Sequence, residues 1–214
     1  MRSAGCWNRL TVGLGLMFAL LCSAGCQSAS AHGETVVRAG ESAGPKAALT
    51  GLLDLRNRPV DPLRASSAKA IVLIFVRTDC PISNRYAPEI ERLYQKYATR
   101  RVAFWLVYPD PDTLPEEIAS HIRAYGLSLG ALRDPQHVWV KRAGVRVTPE
   151  VAVWSADGRE LYRGRLDNRY SDYGKERPAP TRRDLDDALA AILNGKPIAS
   201  AVTIAIGCYI PELP

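Results

Sequence analysis

Sulfur and imidazole are scarce in this chain of 214 residues, which has five cysteines, two methionines and three histidines. The histidines, His32, His121 and His137, fall in separate segments with no ligand spacing beside them, so nothing supports a metal site. No glycine-rich loop follows a strand-like run, and no paired acid and base stands out, which leaves no cradle for a phosphate or an organic cofactor. The longest apolar stretch, Leu10 to Leu21, falls short of the ~20 residues a membrane-spanning helix needs. No internal repeat is present, which argues against a solenoid. The formal charge is +6, a mild excess that does not argue for nucleic acid.

Arg2 and Arg9 precede that apolar stretch, and Ser23, Ala24, Gly25 and Cys26 follow it. This is the order of a targeting segment. "SAGC" resembles a bacterial lipobox, which implies lipidation at Cys26, although Ser23 stands where an aliphatic residue is usual; an ordinary secretory signal is the alternative. Either way the domain is expected on the periplasmic or cell-envelope side, anchored by lipid to a bacterial membrane in the first case. Residues 1–26 are therefore assigned to the signal peptide. Residues 27–47, small and polar without a sustained period, form a flexible tether. Removing residues 1–25 deletes two arginines and no acid, so 26 basic residues face 22 acidic ones and the charge falls to +4. Of the five cysteines, only Cys80 and Cys208 then remain for the mature domain. An oxidising compartment permits a disulfide between them without requiring one.

From residue 48 to 196, strand and helix signals alternate. "AIVLIFV" (70–76) is the continuous apolar run of a strand buried on both faces, and "RVAFWLVY" (101–108) is a second. Between them Ile82, Tyr86, Ile90, Leu93, Tyr94 and Tyr97 recur at helical spacing, with Pro88 removing one donor and expected to kink that helix. Thr113 and Glu116 have capping-box spacing for a second helix. A short strand near Leu132 and a helix from about Pro135 to Ala143 follow. Two strand-like runs then flank Asp157-Gly158, a hairpin signal. A closing helix has Thr181 and Asp184 in capping positions and Gly195 at its end. Crossovers followed by a hairpin and a last helix indicate an α/β domain, a central mixed β-sheet flanked by helices on both faces. Residues 197–214 are a C-terminal extension carrying Cys208.

Cys80 stands between a buried strand and Pro81, a residue suited to the first turn of a helix. Free N–H groups at a helix N-terminus favour thiolate over thiol, and the thiolate is the nucleophile. Arg77 and Arg85 add positive potential, and Asp79 opposes it. The competing reading is a buried, inert cysteine. Thr78 is placed either to donate to the sulfur or to cap the helix.

A strand ending in a cysteine at a helix start, Pro88 eight residues later, and Thr148-Pro149 ahead of a strand resemble the thioredoxin-like superfamily. "TDCPISNRYAPEI" and "GRLDNRYSDYGKERPAPTRRDLDDAL" resemble bacterial redoxin-domain proteins related to the peroxiredoxin and thiol-specific antioxidant group. The resemblance implies a thioredoxin-like fold, with Cys80 as attacking thiol and Pro149 as a cis-proline beside it. Arg146, near that pair, could face the thiol or lie on the surface. Departures bear on the substrate. Ser83 occupies the second position of Cys-x-x-Cys, Arg77 stands where peroxidatic cysteines have a threonine or serine three residues earlier, and Asn84 replaces the second copper-delivery cysteine.

Cys208 is left as the candidate resolving cysteine, with a permanent disulfide to Cys80 or simple burial as alternatives. The expected activity is an exported thiol oxidoreductase that reduces peroxide or protein disulfides and uses no cofactor. Its partners would be an external dithiol reductant or a substrate protein. A redox-inactive binding module at the membrane, with Ser83 marking the lost activity, is the reading from a different class.

Overall fold

The chain is described here by a computed structural model, covering residues 51–64 and 67–213. The signal segment with Cys26, and the tether, lie outside those residues. Seven strands make one sheet, named in chain order: β1 (Leu52–Leu53), β2 (Pro59–Val60), β3 (Ala70–Phe75), β4 (Val102–Tyr108), β5 (Gly130–Arg133), β7 (Glu150–Trp154) and β8 (Glu160–Gly164). Their order across the sheet is β2-β1-β5-β4-β3-β7-β8. β3 lies parallel to β4, and β4 to β5, whereas β7 runs antiparallel to β3 and β8 antiparallel to β7. The missing number belongs to β6 (Val147–Thr148), which pairs outside this sheet with β11 (Cys208–Tyr209). A separate small ribbon joins β9 (Tyr170–Asp172) to β10 (Lys175–Glu176).

Alternation along each central strand divides two cores. Ala70, Val72 and Ile74 face one side with Phe104, Leu106, Val151 and Val153. Ile71, Leu73 and Phe75 face the other with Val107, Ala152 and Trp154. All six residues of β3 have zero exposure, as a continuous apolar run flanked by strands on both edges requires. Helix α1 (Pro81–Tyr97) and helix α4 (Asp184–Leu193) pack on the first face through Ile82, Tyr86, Ile90, Leu93, Leu185 and Leu189. Ile118 of α2 (Pro115–Ala124) joins the same core, and α3 (Val138–Ala143) covers the opposite face with Trp139, Val140 and Ala143. The helices thus flank a mixed sheet on both faces. Among the described residues no helix is long and apolar enough to cross a membrane.

Helix starts differ from the sequence expectation in the groups that meet the first-turn amides. The Leu114 N–H, not that of Thr113, donates to a carboxylate at the start of α2, and that carboxylate is Glu117's. α3 begins at Val138 because Asp134 accepts the N–H groups of Val138, Trp139 and Val140 at 2.9, 2.9 and 2.8 Å. Thr181 does not cap α4; its N–H and hydroxyl are taken by the side chain of Asn168. In the basic stretch 163–183, Arg165 pairs with Asp184 and Arg183 with Glu89, while most residues from 171 to 183 are exposed. The β7–β8 turn at Gly158, φ +83, is the hairpin the sequence announces. α1 runs through Pro88 without interruption.

α1 and α4 are tied together at Asp186, which accepts from Lys96 at 2.6 Å, Arg92 at 3.0 Å and the Tyr97 hydroxyl. Burial pushes the Asp186 and Glu89 carboxyls up, but these partners outweigh it and hold Asp186 below its ordinary 3.8 and Glu89, beside Arg92 and Arg183, below 4.5. Depressed folded values mean stability that is present at neutral pH and lost as pH falls below about 4.5 through the folded values. The urea midpoint is expected to drop across that acid range, and Asp186→Asn to lower the neutral-pH midpoint and flatten the drop; an unchanged acid limb in the variant would exclude Asp186 as a source.

Candidate active site

Cys80 is the N-cap of α1, in extended conformation at φ −85 and ψ 110, with Pro81 starting the helix. This position points its sulfur at the free amides of the first turn, and the Ser83 N–H donates to it at 3.3 Å. Two contacts come from far along the chain. The Thr148 carbonyl oxygen lies 3.0 Å from Cys80 Sγ, and Cys208 Sγ lies 2.6 Å away. Cys80 is only 1% exposed, so the sulfur is enclosed by the chain itself.

The lower wall is the Thr148–Pro149 peptide, which is cis. β6 precedes it, and its free edge is taken by β11 in antiparallel register, Cys208 opposite Thr148 and Tyr209 opposite Val147. Ile210 N–H continues the ladder to the Arg146 carbonyl at 2.9 Å. Arg77 reaches across from the loop before Cys80, its guanidinium 3.4 Å from the Tyr209 carbonyl and 2.9 Å from Asp79. Further back the tail is fixed again, with Thr203 N–H on the Arg163 carbonyl and the Tyr162 hydroxyl 2.7 Å from Thr203 Oγ1. Each backbone hydrogen bond of the short ladder at Cys208 contributes only ~0.5–1.5 kcal/mol net.

The two thiols are unlike. Burial pushes Cys80 up, but the hydrogen bonds from Cys208 and Ser83 outweigh it and hold its pKa below the ordinary 9.0. The hydroxyls of Ser83 and Thr148 are buried without a hydrogen-bond partner. Cys208 is pushed up to about 11, by burial first and then by the neighbouring Cys80. Of the two sulfurs, Cys80 is thus the one more readily ionised and Cys208 the one that holds its proton longer. That is the polarity of a nucleophile held beside a second thiol in reserve.

The other residues singled out in the sequence fall into two groups. Pro149 lies at the sulfur through the peptide it shares with Thr148. Thr78 enters through its carbonyl, which accepts from Asn84 Nδ2 at 3.1 Å. Arg146 is exposed, and its part is played by the backbone: its carbonyl binds the tail, and its N–H donates to the buried Glu150 carboxylate at 2.8 Å. Sequence reasoning missed the supporting contacts of three residues, Arg77 among them although it was read as a source of positive potential. Glu150 steadies the strand that carries Thr148. His121 bridges Tyr108 and Asn84 at 2.9 and 2.7 Å, and Asn84 then holds the loop before Cys80. Arg77 clamps the tail. Position 84 matched no motif, and contacts 37 residues apart leave no local period to read.

A model of the Redoxin family matches residues 38–177. The chain belongs to the Redoxin family. It is thus a thioredoxin-like thiol oxidoreductase. Its fold matches an uncharacterised conserved protein from Geobacillus kaustophilus (TM-score 0.67, 24% identity, 76% of this chain and 88% of that one). A hypothetical protein from Sinorhizobium meliloti matches with TM-score 0.65 and 23% identity over 74% of this chain and 88% of the other. A candidate thiol:disulfide interchange protein DsbE from Chlorobium tepidum gives TM-score 0.52 and 16% identity over 66% and 92%. At these identities the likeness establishes the thioredoxin-like fold alone. No curated protein is significantly similar in sequence.

Removing the strongest donor to Cys80 is expected to raise its pKa. In Cys208→Ala the thiolate absorbance of Cys80, followed by pH titration, should appear at higher pH than in the parent chain; an unmoved titration would show that Cys208 does not stabilise the charge.

Proposed function

We propose that this redoxin reduces protein disulfides, cycling between a Cys80/Cys208 dithiol and an internal disulfide. The observation that carries the reading is the 2.6 Å approach of the two sulfurs on a strand edge beside the helix-capping thiol. Cys80 thiolate attacks one sulfur of the substrate disulfide, forming a mixed disulfide and releasing the other sulfur as a thiolate that takes a proton. Cys208 then loses its proton and attacks Cys80 Sγ. The substrate's remaining cysteine leaves as the second thiol, and the Cys80–Cys208 disulfide holds the two electrons' worth of oxidation. An external dithiol returns it to the reduced state.

Two features favour a disulfide substrate over a peroxide. The Cys80 sulfur is met, beyond its own helix and the cis peptide, by Cys208 on an extended segment, the shape a protein substrate presents. Arg77, the residue three places before Cys80, is committed to Asp79 and the tail rather than to the sulfur. Arg2, Arg9 and the small residues before Cys26 support export and a lipid anchor, which would place the cycle at a membrane surface.

With a thioredoxin-type reductant, the parent chain is expected to reduce a protein disulfide. Cys80→Ser should lose that activity by on the order of 100-fold or more, as removal of an attacking nucleophile does. Cys208→Ser should accumulate a mixed disulfide at Cys80, visible by peptide mass mapping. Peroxide consumption that depends on Cys80, with no disulfide reduction, would reverse the choice of substrate.

A further inference from the structure

The tail seated on β6 shows which peptide fits there. Gly207 lies so close to the Thr148–Pro149 peptide that a Cβ on it would stand 2.2 Å from the Thr148 carbonyl oxygen and 2.7 Å from its carbon. Those atoms are backbone and belong to the wall of the sulfur site, so they cannot turn aside as a flexible side chain would. One residue further on, Cys208 presents its sulfur. Tyr209 is 80% exposed and meets no constraint on its side chain. Ile206 packs against the core under α1, and Ile210 against the core under α3, where it lines a groove of about 740 Å³ with Val140, Val145 and Arg146.

The geometry points to a sequence rule for the proteins that exchange with Cys80: an extended segment reading apolar, glycine, cysteine, any residue, apolar, of which "IGCYI" (206–210) is the chain's own copy. The inference rests on Cys80 as the attacking thiol and adds the identity of the partner segment. It follows that the tail and a substrate compete for one edge. The substrate takes the Val147–Thr148 edge while its cysteine forms the bond to Cys80 Sγ, and the tail retakes that edge when Cys208 attacks. The anchor at Thr203 stays in place through both steps and keeps Cys208 within reach. Selection occurs at the glycine, because only a residue without Cβ brings its following cysteine to the sulfur without displacing the cis peptide.

The test uses the full chain carrying Cys208→Ser and synthetic peptides IAIGCYIPE, IAIACYIPE and IAIVCYIPE, each activated at cysteine as the mixed disulfide with thionitrobenzoate. Cys80 attacks the peptide sulfur, the peptide S–S bond breaks, and thionitrobenzoate leaves with the electron pair and is read by its colour. The glycine peptide is expected to react on the order of 10-fold faster than the alanine and valine peptides, within the range one misfitting group can impose. Adding Gly207→Val to the chain should raise the rates of all three by expelling the tail. Equal rates for the three peptides, together with prompt reaction of the small reagent dithionitrobenzoate, overturn the sequence rule and leave Cys80 as the attacking thiol. Unchanged rates on adding Gly207→Val overturn the competition. Failure of even the small reagent to react in that double variant overturns the nucleophile and the rule together.

Discussion

The pairing of β3 with β7 in the register that sets Phe75 opposite Glu150 is the constraint on which the site depends. β3 ends just before the loop to Cys80, and β7 begins just after Pro149, so antiparallel pairing brings the helix start and the cis peptide to the same end of the sheet. A slip of one residue would move Thr148 by ~3.3 Å and turn each side chain of β7 to the wrong core. The alternation of Val151 and Val153 toward one core, and Ala152 and Trp154 toward the other, is what fixes that register. Glu150 adds a local lock by accepting the N–H of Arg146. The chemistry at Cys80 thus rests on apolar packing several residues away.

Once the register is set, the site divides labour between two sulfurs by unequal solvation. Burial disfavours charge on both. Cys80 is compensated by the Ser83 amide at the start of α1 and by the Cys208 thiol, whereas Cys208 gains a neighbour of its own sign whenever Cys80 is ionised. The order of events follows from this asymmetry: Cys80 is charged first, and Cys208 gains the power to attack only after the Cys80 charge has been spent in a bond. Ser83, which from sequence marks a lost cysteine, serves here as a donor to the one that remains.

Much of this was legible along the chain. The run "AIVLIFV" declared a strand with no polar face, the spacing of Ile82, Tyr86, Ile90 and Leu93 declared the helix after it, and Asp157-Gly158 declared a turn. These are signals between neighbours, set by steric and solvation rules that act over a few residues. Helix starts were less legible, since Asp134 and Glu117 accept first-turn N–H groups from positions that a local reading assigns to other tasks, and α4 starts with no side-chain cap. The short strands β6 and β11 had no signal of their own. Two residues establish no alternation, and each exists because the other is there to receive its hydrogen bonds.

Within the fold and its site, the sequence by itself determined a sheet-and-helix domain with one cysteine at a helix N-terminus, because a buried strand, a short loop and Pro81 are contiguous. Cys208 was only a candidate by count. Its place beside Cys80 was decided by the tertiary structure, since the two residues are separated by 128 positions and meet only after the β3–β7 register, the cis peptide and the Thr203 anchor are all in place. No local propensity encodes such a closure; it is the cooperative result of packing on both faces of the sheet.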